Sequence, residues 1–151
     1  YLASMELYED AVEELAPLYG DLKDNYRYIY DYGYALHKCN RYQESNEILK
    51  EGAKISSDPM FYNIIGKNQE AMGLYEEAEK AYLHAHHMVP YRLYPLTLLM
   101  KMKIRLQDTD QALIYARKIV AMPVNERHLT MVRLQNDAKE CVDSLSNIIS
   151  D

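Results

Sequence analysis

From residue 126 to residue 149 the apolar positions Leu129, Val132, Ala138, Cys141, Val142, Leu145 and Ile148 recur at helical spacing, and the intervening face is polar. That pattern predicts a long amphipathic helix over 126–149, with Asn125 as its cap. The remainder of the chain is punctuated more often. Cys39-Asn40-Arg41 and Met72-Gly73-Leu74 mark sharp turns, because Asn and Gly accept the left-handed backbone that ends a helix. Asp58 and Pro59 open a helix, as N-cap and first helical residue. Pro90 closes one, and Pro95 falls in the first turn of the next, where its missing N–H does no harm. Together these signals predict helices over 5–19, 26–39, 42–56, 59–72, 75–88, 92–106 and 109–121.

The helices repeat. Tyr42-Gln43-Glu44-Ser45 returns thirty-three residues later as Tyr75-Glu76-Glu77-Ala78. It stands thirty-four residues earlier as Tyr8-Glu9-Asp10-Ala11, and thirty-four beyond Tyr75 as Thr109-Asp110-Gln111-Ala112. The same step brings Leu15, Leu49, Tyr82 and Ala116 into one column and Leu18, Gly52, Ala85 and Ile119 into another.

This array resembles the tetratricopeptide repeat (TPR) family. Residues 59–92 carry its pattern best: Gly66, Ala78 and Ala85 at small packing positions, Tyr82 as the aromatic, Pro90 at the end. Small residues let two helices cross closely, and a ring fills the gap beside them. Residues 26–57 keep Gly33 but place Ser45 and Gly52 where the family has Ala, and Ser57 where it has Pro; residues 93–124 put Met100 in the glycine place. The resemblance implies an all-α fold, a right-handed α-α superhelix of antiparallel hairpins. It is expected as a single domain over 1–151: a half repeat at 5–19, repeats at 26–57, 59–92 and 93–124, and a capping helix at 126–149.

Composition narrows the function. A chain of 151 residues buries roughly 70% of its unfolded surface, enough for a core without staples. Fifteen Tyr and eight Met stand against one Phe and no Trp, so the aromatic content is amphipathic. A net charge of -6 argues against a nucleic-acid partner, which calls for a basic face. Cys39 and Cys141 have no metal or redox spacing and read as structural thiols. No run approaches the ~18 apolar residues of a membrane span. The chain opens Tyr1-Leu2-Ala3-Ser4, without an initiator Met or a signal peptide, and is read as a piece of a longer protein or a processed chain.

Catalytic chemistry finds little support. His84, His86 and His87 are the densest cluster of metal-ligating side chains, but only 84 and 87 share a helix face, and no carboxylate completes an HExxH pattern. Glu13-Glu14 and Glu76-Glu77 sit on outer faces, and no phosphate loop or nucleophile elbow occurs. No enzyme activity, cofactor or metal is expected of this chain; a metal-dependent hydrolase using the histidines is the remote alternative.

In TPR proteins the first helix of each pair lines a concave groove. The repeat step places Tyr34, Lys67 and Lys101 in one column of that face, Tyr30, Asn63 and Thr97 in a second, His37, Glu70 and Ile104 in a third, and Lys38, Ala71 and Arg105 in a fourth, with Arg27 and Tyr94 alongside. The expected partner-binding residues are therefore Arg27, Tyr30, Tyr34, His37, Lys38, Asn63, Lys67, Glu70, Tyr94, Lys101 and Arg105. Cations and amphipathic rings there suit an acidic protein or peptide partner. Some TPR domains clamp a C-terminal carboxylate with Lys, Asn and Arg; this chain offers Asn63, Lys67 and Lys101 but has Tyr30 and Tyr34 where that clamp has Lys and Asn.

The stretch from Ala81 through Pro90 to Leu96, with Leu22-Lys23-Asp24-Asn25, Asp31-Tyr32-Gly33 and Met122-Pro123-Val124, is similar to the TPR tail of O-antigen ligase and polymerase-like membrane proteins of Bacteroidetes-type bacteria. The resemblance implies a non-catalytic tail that recruits, positions or dimerises, cytoplasmic or periplasmic, on a parent in the bacterial inner membrane that performs the glycan transfer. The alternative is an autonomous adaptor binding peptide partners. Self-association stays open in either case.

Overall fold

The computed structural model describes residues 2–150; Tyr1 and Asp151, the ends of the expected domain, lie outside the described residues. Among the described residues all regular structure is helical. In order these are α1 (Leu2–Leu15), a 3-10 turn (Ala16–Leu18), α2 (Tyr19–Leu22), α3 (Tyr26–Lys38), α4 (Tyr42–Ile55), α5 (Met60–Ala71), α6 (Tyr75–Met88), α7 (Tyr94–Arg105), α8 (Thr109–Ala121) and α9 (Leu129–Ser150). Packing divides the chain into two compact units, Tyr1–Ala81 and Tyr82–Asp151, with the boundary inside α6.

Most helix limits fall where the punctuation placed them. Two do not. The helix expected over 5–19 starts earlier and breaks at Pro17, which lacks the N–H an α-helix requires and sits in the 3-10 turn instead. The final helix begins at Leu129, later than expected. Asn125 caps a preceding turn, accepting from Arg127 N at 2.9 Å, and the carbonyl of His128 takes the first helical bond, from Val132 N.

The hairpin turns share one device. Asn40, Gly73 and Gln107 have φ of 62°, 78° and 59°. Each sits just past the end of α3, α5 or α7. The residue after each donates to the carbonyl five positions back: Arg41 to Leu36, Leu74 to Gln69, Asp108 to Lys103. These are Schellman motifs, which satisfy carbonyls that a helix end would leave unpaired.

In the first unit α3 buries Tyr28, Ile29, Tyr32, Gly33, Ala35 and Leu36 on one face. It packs against α4 through Gly33, where a Cβ would lie 2.5 Å from Leu49 Cγ. Gly52 of α4 has the same role: a Cβ there would collide with Phe61 of α5 and stand 2.7 Å from Ile29 Cγ2. Ile29, Leu36, Leu49, Phe61 and Ile64 are at most 2% exposed; burying a side chain of this size contributes about 1.5–3 kcal/mol. Tyr28 Oη donates to Leu15 O while Tyr8 touches Tyr34, so α1 runs antiparallel to α3.

In the second unit α7 buries Pro95 to Met100 and Met102. α8 packs between α7 and α9 and buries Ala112, Leu113, Tyr115, Ala116 and Ile119. α9 also closes the end of α8. The side-chain amide of Gln135 lies within hydrogen-bonding distance of the carbonyls of Ile119, Val120 and Met122, at 3.2, 3.1 and 2.8 Å.

Candidate binding surface

The expected site residues fall in both units. Arg27, Tyr30, Tyr34, His37 and Lys38 lie on α3, and Asn63, Lys67 and Glu70 on α5, all in the first unit. Tyr94, Lys101 and Arg105 lie along one stripe of α7 in the second.

On α3 the spacing of residues 30, 34, 37 and 38 puts four side chains on one stripe. The rings of Tyr30 and Tyr34 stack, with centroids 6.2 Å apart and planes 14° from parallel. His37 lies 6.2 Å beyond Tyr34. Phe61 meets Tyr30 edge to face at 5.5 Å, and Tyr8 of α1 meets Tyr34 the same way at 5.8 Å. Lys38 Nζ stands 5.5 Å from the Tyr34 ring centre and 6.0 Å from that of Tyr8, within reach of a cation–π attraction. Tyr8, Tyr30, Tyr34 and His37 are each half-buried. The result is a preformed row of rings with one side against the core and one side in solvent. Arg27 is exposed one turn before Tyr30.

Tyr8 was absent from the expected site. Its sequence signal marked the start of a repeat, and only the antiparallel course of α1 brings it to Tyr34.

His37 also belongs to the interior. Its Nδ1 lies 2.6 Å from Asn68 Oδ1 on α5. Asn68 Nδ2 donates to Ser45 Oγ at 2.9 Å and to Asn46 Oδ1 at 2.8 Å on α4, and Ser45 Oγ donates to Gly33 O at 2.6 Å. Three helices are thus joined by one buried polar network. Burial, the largest influence, pushes the His37 pKa down; the Asn68 bond acts against it, and the positive charges of Lys67 and Lys38 push further down. Lys67 and Lys38 thus place positive charge near His37.

Asn63 is 2% exposed; among the described residues its Oδ1 has no hydrogen-bond partner, and its Nδ2 lies 3.5 Å from Met60 Sδ. Lys67 and Glu70 are half-buried on the same helix. In the second unit Tyr94 is half-buried, and Lys101 and Arg105 are exposed. Lys101 acts electrostatically on Cys141 of α9, partly offsetting the upward push of burial, Asp137 and Glu140 on that thiol. Thr97, of the same column as Tyr30 and Asn63, is buried with its hydroxyl donated to Leu93 O at 3.0 Å.

Among the described residues no three His, Cys, Asp or Glu side chains are placed to hold a metal ion. The rings of His86 and His87 lie 5.7 Å apart. Both cysteines are free, and burial pushes both thiols up, Cys39 with help from Glu9. Among the described residues no helix is long and apolar enough to cross a membrane.

No protein-family profile matches the sequence, and no curated protein does. Solved structures do match. PcrH from Pseudomonas aeruginosa superposes with a TM-score of 0.64 at 17% identity, over 82% of this chain and 92% of PcrH. PcrH in complex with the chaperone binding region of PopD gives 0.61 at 17%, over 92% and 93%. MamA gives 0.69 at 12%, over 93% of this chain and 87% of MamA. The chain thus has an all-α fold of packed helix pairs similar to PcrH and MamA, which are TPR-type helical repeat proteins.

Proposed function

We propose that this chain is a protein–protein interaction scaffold whose α3–α5 face holds an extended, acidic peptide segment of a partner. The stacked row Tyr30–Tyr34–His37, flanked by Tyr8 and crossed by Lys38, carries the proposal. Half-buried rings anchored from behind give contact area at little cost in side-chain entropy, and Lys38 and Lys67 supply the charge for carboxylates. A protein of the same fold, PcrH, is known in complex with a segment of PopD. The α7 stripe Tyr94, Lys101 and Arg105 is a second contact surface in this proposal. Neither role calls for catalysis or a cofactor.

The test compares proteins captured from native lysate by the wild-type chain and by a Tyr34→Ala/Lys67→Glu variant. Selective loss of one partner in the variant supports the face. An unchanged set of partners overturns it.

The likeness of residues 81–96 to the tail of O-antigen ligase-like proteins favours a more specific setting: a recruiting or positioning tail on a membrane-embedded glycan ligase or polymerase, on the cytoplasmic or periplasmic side. Reading the gene upstream of Tyr1 decides this. Several apolar spans there support the tail, and their absence supports an autonomous adaptor.

A further inference from the structure

The second unit carries a cleft that involves none of the residues discussed above as a binding face. It opens between α8 and α9 and encloses about 270 Å³. Arg117, Val120 and Ala121 line it from α8, and Lys139, Val142 and Asp143 from α9. Residues 117 and 121 are one turn apart, as are 139 and 143, so each helix presents a single face to the cleft. Its apolar part consists of Val120, Ala121 and Val142. Its charged part consists of Arg117 and Lys139, both exposed and neither in an ion pair among the described residues, together with Asp143.

Size and charge select the occupant. Sites for whole small molecules run from about 300 to 1,000 Å³, so this open cleft fits one or two side chains of a larger partner better than a cofactor. The methyl groups of Val120, Ala121 and Val142 accept an aliphatic side chain. Two cations against one carboxylate leave a surplus positive charge, in a chain whose net charge is -6. That surplus matches a carboxylate next to the aliphatic residue, held most effectively by the two-pronged Arg117 guanidinium. Asp143 remains as an acceptor for a backbone N–H of the same segment.

We infer that the α8–α9 cleft docks a short acidic segment of a partner protein, an aliphatic side chain flanked by carboxylates, separately from the tyrosine-lined face of the first unit. The probe is a synthetic heptapeptide, Gly-Ser-Asp-Leu-Asp-Ser-Gly, added to the isotope-labelled full chain while backbone amide signals are followed by NMR. Two control peptides carry Asn for both Asp residues or Ala for Leu. The expected result is saturable shifts of the amides of Val120, Ala121, Val142 and Asp143, at least tenfold weaker with either control. An Arg117→Glu/Lys139→Glu chain, altered at two exposed positions, loses the acidic peptide by a similar factor while keeping its helical circular dichroism. It gains affinity for a peptide with Lys for both Asp residues. Equal shifts with all three peptides, or shifts confined to α3 and α5, overturn the inference. So does concentration-dependent self-association in sedimentation that the Arg117→Glu/Lys139→Glu chain no longer shows, since the occupant would then be a second copy.

Discussion

His37 Nδ1 and Asn68 Oδ1 lie 2.6 Å apart, and the rest of the Asn68 amide decides which of them carries the proton. Asn68 Nδ2 donates to two acceptors, Ser45 Oγ and Asn46 Oδ1, so its oxygen must face the histidine. An amide oxygen only accepts. His37 is therefore the Nδ1–H tautomer, and one orientation of one buried amide orders groups on α3, α4 and α5.

Replacing Asn68 by Leu leaves the Asn46 carbonyl and the His37 N–H without their partner. The expected loss of stability is about 2–4 kcal/mol, from groups desolvated without compensation. Urea denaturation checks it: the midpoint falls while the slope with denaturant stays constant. A loss within about 0.5 kcal/mol contradicts the network.

The lowered pKa of His37 makes stability fall on acidification. The unfolded chain takes up the proton first, near the ordinary histidine value of about 6.5, while the fold resists it. Stability is thus full above that value and declines as pH drops towards the lower folded-state value. His86, lowered chiefly by burial, adds a contribution of the same sign. Thermal unfolding between about pH 7.5 and about pH 5.5 stays above the carboxylate range. His37→Gln is expected to flatten the profile without abolishing its slope, and an unchanged profile refutes the assignment.

Gly33→Ala pushes a methyl group into Leu49. The cost is about 1–3 kcal/mol, the usual range for overpacking. A compensating Leu49→Val recovers part of it, so the double variant is more stable than the sum of the single losses predicts. Additive losses argue that α3 and α4 approach each other differently.

Gln107 holds a left-handed backbone with φ of 59°, which an L side chain disfavours. Gln107→Gly is expected to raise stability by about 0.5–1 kcal/mol net of the flexibility that Gly adds to the unfolded chain. Gly73→Ala, at φ 78°, is expected to change it by a similar amount in the opposite direction. Melting temperatures of the two variants moving the same way contradict the shared turn geometry.

Periodicity and turn chemistry made the helices legible. Asn40 and Gly73 signalled their left-handed turns, whereas Gln107 did not, because nothing in a glutamine side chain favours that backbone. There the turn is imposed by the hydrogen bond from Asp108 N to Lys103 O and by packing on either side. Asn125 was recognised as a cap, but a cap serves a turn as well as a helix, so the start of α9 was misplaced. The α3 stripe followed from helical spacing together with the TPR resemblance, which supplied the face. The Ser45–Asn68 bond was not: Ser45 looked like a weaker copy of the repeat's Ala, and its reason lies on another helix. Gln135, one polar residue among many on α9, likewise shows its role only once the end of α8 is beside it.

The three Schellman turns also set where the chain tolerates added length. In each, the residue that locks the end of one helix stands immediately before the next: Arg41 before α4, Leu74 before α6, Asp108 before α8. Arg41 and Asp108 are moreover the N-caps of α4 and α8. A single inserted residue would uncouple these two roles. The connections at 56–58 and 123–127 carry no such double duty and are largely exposed. Reporter peptides, cleavage sites or natural length variation belong in those two segments, and the hairpin corners keep a fixed length.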